Sequence, residues 1–147
     1  TRHVGVGVAR RFPSAAGAGI SVHRPQIKLA MNSNSYIDGF LLAVPDANKD
    51  ACRRLAANAA VWFKEHGATE VVETWGDDVP EGKLTSMPMA VKREAGETVV
   101  FSWIVWPSRE ARDAGMKAVM EDPRFPKDMP FDGKRMIFGG FRVLVHA

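Results

Sequence analysis

Two stretches of the chain share one pattern of apolar and polar residues. Each is an apolar run that ends in a proline and a small polar residue, and the two runs occupy residues 40–46 and 99–108. Apolar residues at helical spacing follow each of them. Proline disfavours helical geometry in the residue before it, so each apolar strand should end there. Asp46 and Ser108 can then accept hydrogen bonds from the first turn of a helix. The pattern predicts two strand–proline–helix units.

The first unit continues into a second strand. We expect a strand over 36–44, a helix over 46–66 and another strand over 68–75, where β-branched residues are frequent. Gly67 can adopt the left-handed conformation that ends a helix. Spacing predicts that one side of this helix carries Leu55, Ala59, Trp62 and His66.

The second unit contains the most apolar strand. Residues 98–106 are apolar at nearly every position, which indicates that both faces of this strand are covered. Residues 84–92 look extended and are joined to it by a turn, which predicts a hairpin between the two. A helix over 108–123 and a final strand over 135–145 complete the unit.

Two such units predict a ferredoxin-like βαββαβ fold of the α+β class. The first and third strands should be central in the sheet, and right-handed crossovers should place both helices on one face. The other face would then expose large apolar side chains, and an exposed patch of that kind usually marks an interface. We therefore expect a homodimer formed by packing of two sheets.

The composition fits a single domain. The chain has 147 residues, 46% of them hydrophobic, and a mean hydropathy of −0.16, which is typical of soluble globular proteins. No apolar run approaches the roughly 20 residues that a membrane span needs. Cys52 is the single cysteine, so no disulfide can form within the chain, and we expect a cytoplasmic protein.

Charge separates the first 35 residues from the rest. Five of the 20 basic residues precede Asp38, which is the first acidic residue; 15 basic and 17 acidic residues follow, for a net charge of −2. We interpret 1–35 as a disordered extension or upstream sequence, with Met31 as the natural start, and 36–147 as the domain. A transit peptide, or an export signal at Arg10 and Arg11, is an alternative. A mildly acidic body does not indicate nucleic-acid binding.

Four segments resemble one known family. They are residues 35–40 (SYIDGF), 72–83 (VETWGDDVPEGK), 100–108 (VFSWIVWPS) and 129–141 (MPFDGKRMIFGGF). Together they resemble the YbaA-like family of uncharacterised bacterial proteins, over about 36–147. The resemblance implies a dimeric α+β barrel, as in the antibiotic-biosynthesis monooxygenases, with a pocket between sheet and helices. It implies no particular activity.

The resemblance also suggests site residues. His66 and Asp38 are the candidate acid–base pair, because a carboxylate can tune a histidine, and the candidate ligand contacts are Trp62, Trp75, Trp103, Lys83 and Arg135. Each has a structural alternative. His66 can cap a helix end, Asp38 can form a salt bridge to Arg135 or Arg142, the tryptophans can belong to the core, and the cations can lie on a solvated rim.

The sequence leaves several functions open. We expect binding or transformation of a small apolar or aromatic molecule in the pocket, without a metal or cofactor. The acidic loop at Asp77, Asp78 and Glu81 lacks the spacing of a calcium site. A ligand-binding or assembly protein without catalysis is the first alternative. Association with RNA through the basic extension is the second.

Overall fold

The computed structural model describes residues 31–147, so the predictions for residues 1–30 lie outside the described part. Four strands form one antiparallel sheet: Tyr36–Pro45 (β1), Glu70–Glu73 (β2), Glu97–Trp106 (β3) and Ile137–Arg142 (β4). Their order is β2-β3-β1-β4. β1 and β3 are therefore central, as predicted, and the topology is that of the ferredoxin-like α+β fold.

Three helices accompany the sheet: Lys49–Glu65 (α1), Met87–Ala90 (α2) and Arg109–Glu121 (α3). Phe63 of α1 and Val119 of α3 share a buried cluster with Ile104 and Trp106 of β3. Both long helices thus cover the same face of the sheet, which confirms the prediction. Among residues 31–147, no helix is long and apolar enough to cross a membrane.

The two proline junctions differ from each other. Ser108 caps α3, because its hydroxyl accepts a hydrogen bond from the backbone N–H of Ala111 at 3.1 Å. The predicted cap at Asp46 is wrong: a short 3-10 helix, Asp46–Asn48, precedes α1, and the Asp46 carboxylate instead accepts a hydrogen bond from the Thr98 hydroxyl. Gly67 follows α1 with φ of +107° and ends it as expected.

The predicted hairpin between 84–92 and 98–106 is also wrong. Residues 84–92 contain α2, and the edge partner of β3 is β2. Ser86 caps this helix by accepting a hydrogen bond from the N–H of Met89 at 3.1 Å. Pro88 suits the first turn of a helix, where its missing N–H costs nothing, whereas it would break a strand ladder.

The second face of the sheet is only partly covered. Val79 and Val91, from the segment between β2 and β3, pack on Ala43 and Val99 at one end. Farther along, Phe101, Ile137 and Phe141 remain 45%, 46% and 59% exposed. The expected exposed apolar face is therefore present in the single chain.

Candidate functional site

An apolar cavity of about 400 Å³ lies on the helix-covered side of the sheet, and we call it the main cavity. The sheet forms its floor, α1 and α3 form two walls, and the segment between α3 and β4 closes it. The apolar side chains that line it include Phe40, Leu42, Leu55, Phe63, Met116, Met120, Phe125, Met129, Phe131 and Met136.

The helix α1 turns one stripe of side chains toward this cavity. Cys52, Leu55, Ala56, Ala59 and Phe63 line it, at the three- and four-residue spacing of one helix face. The predicted stripe included Trp62 and His66, but neither is among the residues that line the cavity. Small alanines in the middle of the stripe leave the space that a larger side chain would fill.

A second cavity of about 410 Å³ adjoins the main one between the start of α1 and the edge strand β2. The two share Cys52, Ala56, Val71 and Glu73 in their walls. Lys49 and Arg53 also line the second cavity, together with Trp75. The main cavity is therefore mostly apolar, the second cavity is lined by charged residues, and Glu73 lies in the wall that they share.

Glu73 is the acidic residue of the main cavity. It lies opposite Ser102 in the β2–β3 register, on the side that faces the helices. Its side chain reaches solvent, yet surrounding protein removes enough hydration to raise its pKa from 4.5 to about 7. Among residues 31–147, no protein group forms an ion pair or hydrogen bond with this carboxylate within the geometric limits of those bonds. It is therefore available to a ligand.

Cys52 lies beside Glu73 in both cavity walls. The thiol is buried, and burial followed by the charge of Glu73 raises its pKa to about 11. The thiolate is the reactive form of cysteine, so this side chain is a weak nucleophile at neutral pH. Cys52 is better suited to packing, where it contacts Leu42 and Val100.

The structure does not bring His66 and Asp38 together. His66 Nε2 lies 3.2 Å from Oδ2 of Asp122, just beyond the end of α3. Arg124 also binds Asp122, with its Nη2 2.7 Å from Oδ2, and these hydrogen bonds hold the pKa of Asp122 well below its usual range. His66 thus joins the ends of the two long helices outside the main cavity.

Asp38 has partners other than the two that we predicted. Its Oδ2 accepts a hydrogen bond from Trp106 Nε1 at 2.9 Å, and its Oδ1 accepts one from Arg112 Nε at 3.1 Å. A structural salt bridge at Asp38 is therefore present as predicted, but its partner is Arg112, and the predicted partners Arg135 and Arg142 are wrong. Arg112 reaches Asp38 from α3 because Gly140 lies beneath it; a Cβ atom at Gly140 would overlap the guanidinium.

The predicted ligand contacts are dispersed. Trp62 packs edge-on against Phe125 with ring centroids 6.3 Å apart. Trp75 lines the second cavity, where Lys49 Nζ lies 5.2 Å from its ring centroid. Trp103 is among the residues that line the main cavity, but the alternation along β3 turns its side chain to the uncovered face, where its ring packs against Phe101 with centroids 5.4 Å apart. Of the three, Trp75 and Trp103 border a cavity.

The two predicted cationic contacts lie away from both cavities. Lys83 is exposed in the segment between β2 and α2. Arg135 forms a bidentate ion pair with Glu97, with both N···O distances 2.7 Å, and its Nε lies 3.0 Å from Asp132. This geometry gives Arg135 a structural role, in which it ties the segment before β4 to the start of β3.

Glu73 was missed at the level of sequence, although a signal was present. Val71, Glu73 and Trp75 alternate along the second strand, so they share a face. A charged residue at an inward position is unusual, because burying an unpaired carboxylate is costly. If Val71 faces the helices, then Glu73, two residues later on the same strand, must face them too. This could have been inferred from the sequence.

Comparisons with known proteins identify the family but not an activity. The family model described as "Protein of unknown function (DUF1428)" matches residues 35–133. The chain is 57% identical over 113 residues to "Uncharacterized protein YbaA" of Escherichia coli K12, covering 75% of this chain and 97% of the relative. The same values hold for YbaA of Shigella flexneri. A ferredoxin-like α+β protein by fold, the chain belongs to the DUF1428 family.

The site defines which chemistries are supported. In residues 31–147, no group of three His, Cys, Asp or Glu side chains is arranged to hold a metal ion. What the main cavity offers is an apolar enclosure with a carboxylate, a hydroxyl and a protonated thiol along one side. That arrangement can enclose an apolar molecule and hold a polar group at its edge.

Proposed function

We propose that this protein binds a small, mainly apolar organic molecule in the main cavity. The observation that carries the proposal is an apolar space of about 400 Å³ between sheet and helices. Its volume lies within the range of about 300–1,000 Å³ that is typical of ligand sites. The cavity is partly open to solvent, since Met120 of its lining is exposed, so a ligand can enter it from the surface.

The side chains around the cavity suit an adaptable binding surface. Four of the side chains that line it are methionines: Met116, Met120, Met129 and Met136. Methionine is unbranched and polarizable, so it adjusts to ligands of different outline. These features support binding of a range of apolar or aromatic molecules, and they leave open whether binding is followed by a reaction.

Fluorescence titration with N-phenyl-1-naphthylamine, an uncharged apolar fluorophore, tests the proposal. Ala59→Trp would fill the middle of the cavity, and Ala114→Trp adds the same side chain on the exposed side of α3. We expect saturable binding to the natural chain and to Ala114→Trp, with affinity at least about tenfold weaker for Ala59→Trp. Ala59→Met, a milder change, should give an intermediate affinity if the larger substitution unfolds the protein.

Equal affinity of all these variants would contradict the proposal, because the fluorophore would then bind elsewhere. Product analysis of any molecule that co-purifies separates an enzyme from a binding protein. A bound molecule that is released unchanged supports the second, and a changed one supports the first.

We also propose that two copies of the chain pack through the uncovered sheet face. Phe101, Ile137 and Phe141 are exposed there in the single chain, next to Leu41 and Trp103. In a dimer with two-fold symmetry the same patch of each copy meets in the interface, and an apolar patch can pack against an identical apolar patch. A cytoplasmic location accompanies this proposal, since the sole cysteine, Cys52, is unpaired.

Sedimentation of two aspartate variants tests the dimer. Phe141→Asp places a charge in the patch, whereas Leu84→Asp places one on an exposed loop residue outside it. We expect Phe141→Asp to sediment as a monomer and Leu84→Asp as a dimer. A monomeric natural chain at micromolar concentration would overturn the proposal.

A further inference from the structure

We propose that the molecule bound in the main cavity carries a basic nitrogen on an apolar body, and that Glu73 and Ser102 hold this nitrogen. The inference rests on the proposed function and specifies its ligand class. It is drawn from the position of two polar side chains within an otherwise apolar wall and from the charges around them.

The two side chains form one anchor point. Glu73 and Ser102 are directly opposite each other across an antiparallel pair, where Cβ atoms lie about 5 Å apart. An ionised carboxylate only accepts hydrogen bonds, and a hydroxyl accepts and donates them. An amine, which has several N–H donors on one atom, can therefore bind both side chains at once.

No lysine or arginine of residues 31–147 forms an ion pair with Glu73. Lys49 and Arg53, from α1, line the neighbouring cavity, but neither lies within 4.0 Å of the Glu73 carboxylate in the ion pairs of residues 31–147. Lys49 instead lies over the ring of Trp75. A cationic ligand would give this partly hydrated carboxylate a counter-ion, which residues 31–147 do not provide.

The opposite side of the cavity contributes no competing charge. The residues that α3 and the following segment place in its lining, among those the structure describes, are Met116, Met120, Phe125, Met129, Phe131, Gly133 and Met136. The apolar part of a ligand fits there, with its polar end at β2. An acidic ligand would meet Glu73 with like charge, and a neutral one would leave the carboxylate without a partner.

Three ligands of one shape test the inference: 1-naphthylmethylamine, 1-naphthylmethanol and 1-naphthoic acid. Calorimetric titration near pH 8, where Glu73 is ionised, would compare the natural chain with Glu73→Gln. The matched control is Glu70→Gln, because Glu70 lies on the same strand but is exposed and points away from the cavity. Hydrogen bonds to charged groups correspond to roughly tenfold or more in affinity.

We expect the amine to bind the natural chain and Glu70→Gln at least about tenfold more tightly than the alcohol, and Glu73→Gln to lose this preference. An amine-to-alcohol ratio that is unchanged in Glu73→Gln would overturn the inference while leaving the proposed function intact. Absence of binding by all three ligands and by the apolar fluorophore would instead contradict the proposed function itself.

The pH dependence gives a second readout that a purely steric role would not change. Amine binding should weaken as the pH falls below about 7, where Glu73 gains a proton, and alcohol binding should not. The other titratable groups that face Glu73 are Lys49, Arg53 and Cys52, all on α1. The Cys52 pKa of about 11 lies outside this range. An amine affinity that is constant between about pH 5 and pH 8 would contradict the assignment of Glu73.

Discussion

The sheet carries two carboxylates on its helix-covered side, and their surroundings are opposite. Asp38, in the central strand β1, binds Trp106 and Arg112 and is 6% exposed. Glu73, in the edge strand β2, faces an apolar cavity without a protein partner among the described residues. The first carboxylate joins β1, β3 and α3, whereas the second has no such partner within residues 31–147.

The electrostatics of the two regions follow from these partners. Burial raises the pKa of Asp38 above its usual value, and the Arg112 charge and the donated hydrogen bonds oppose part of this rise. Burial raises the pKa of Glu73 to about 7 with nothing to oppose it. The comparison teaches that a carboxylate with protein partners joins elements of the fold, whereas one that lines a cavity without such partners is a candidate ligand contact.

The largest expected effect is the loss of stability on removal of Asp38, the carboxylate that is paired with Arg112 and Trp106. Asp38→Ala leaves the Arg112 guanidinium and the Trp106 N–H without their acceptor, and removing one member of a buried pair costs about 3 kcal/mol. Urea denaturation should show this loss in the free energy of unfolding. Asp113→Ala is the control, because Asp113 also binds Arg112 but is 53% exposed, and its loss should cost less than about 1 kcal/mol. Similar losses for the two variants would contradict the comparison.

A smaller change in the free energy of unfolding, in the stabilising direction, is expected for Glu73→Gln. Between pH 4.5 and about 7 the folded chain holds a proton on Glu73 that the unfolded chain has released, so stability falls as pH rises through this window. Glu73→Gln removes this titration. Its stability relative to the natural chain should therefore be higher above pH 7 than below pH 4.5, by up to about 1 kcal/mol once solvent screening is allowed for.

Urea denaturation at the two pH extremes measures the difference, with Glu70→Gln as the control that should show none. A Glu73→Gln variant that is equally stable relative to the natural chain at both extremes would show that Glu73 is not deprived of hydration. In that case the distinction between the two carboxylates would be one of geometry alone.

The smallest effect is expected at His66. Because His66 binds Asp122 outside the main cavity, His66→Ala should lower the melting temperature slightly and leave the affinity for N-phenyl-1-naphthylamine unchanged. Thermal denaturation and the same fluorescence titration measure the two quantities. A loss of affinity comparable to that of Ala59→Trp would return His66 to the binding site.

The sequence predicted the fold better than the site for a physical reason. Strand and helix assignments depend on local spacing, and β1, β3, α1 and α3 have strong, uninterrupted patterns. The prediction of a strand over 84–92 was wrong because Ser86 and Pro88 begin a helix of four residues there. Short helices with few apolar positions give little periodicity to detect.

The site depends on contacts between residues distant in sequence. The pairing of Asp38 with Arg112 spans 74 residues, and that of His66 with Asp122 spans 56. Neither separation leaves a trace in a single sequence. The alternation of side chains along β2 could have identified Glu73 from the sequence. The cavity beside it could not be found in this way, because it depends on how the side chains of α1, α3 and the segment before β4 pack together.

The strand order has a consequence for how this chain acquires its structure. Every ladder in the sheet joins a strand of the first βαβ unit to a strand of the second: β1 with β3, β1 with β4, and β2 with β3. Within each unit, the two strands do not pair. Neither unit can therefore form a sheet before the other is present, so loop closure over long sequence separations must come first. Folding is then cooperative across the whole domain, and cleavage of the backbone between β2 and β3 would yield two fragments that gain structure only from each other.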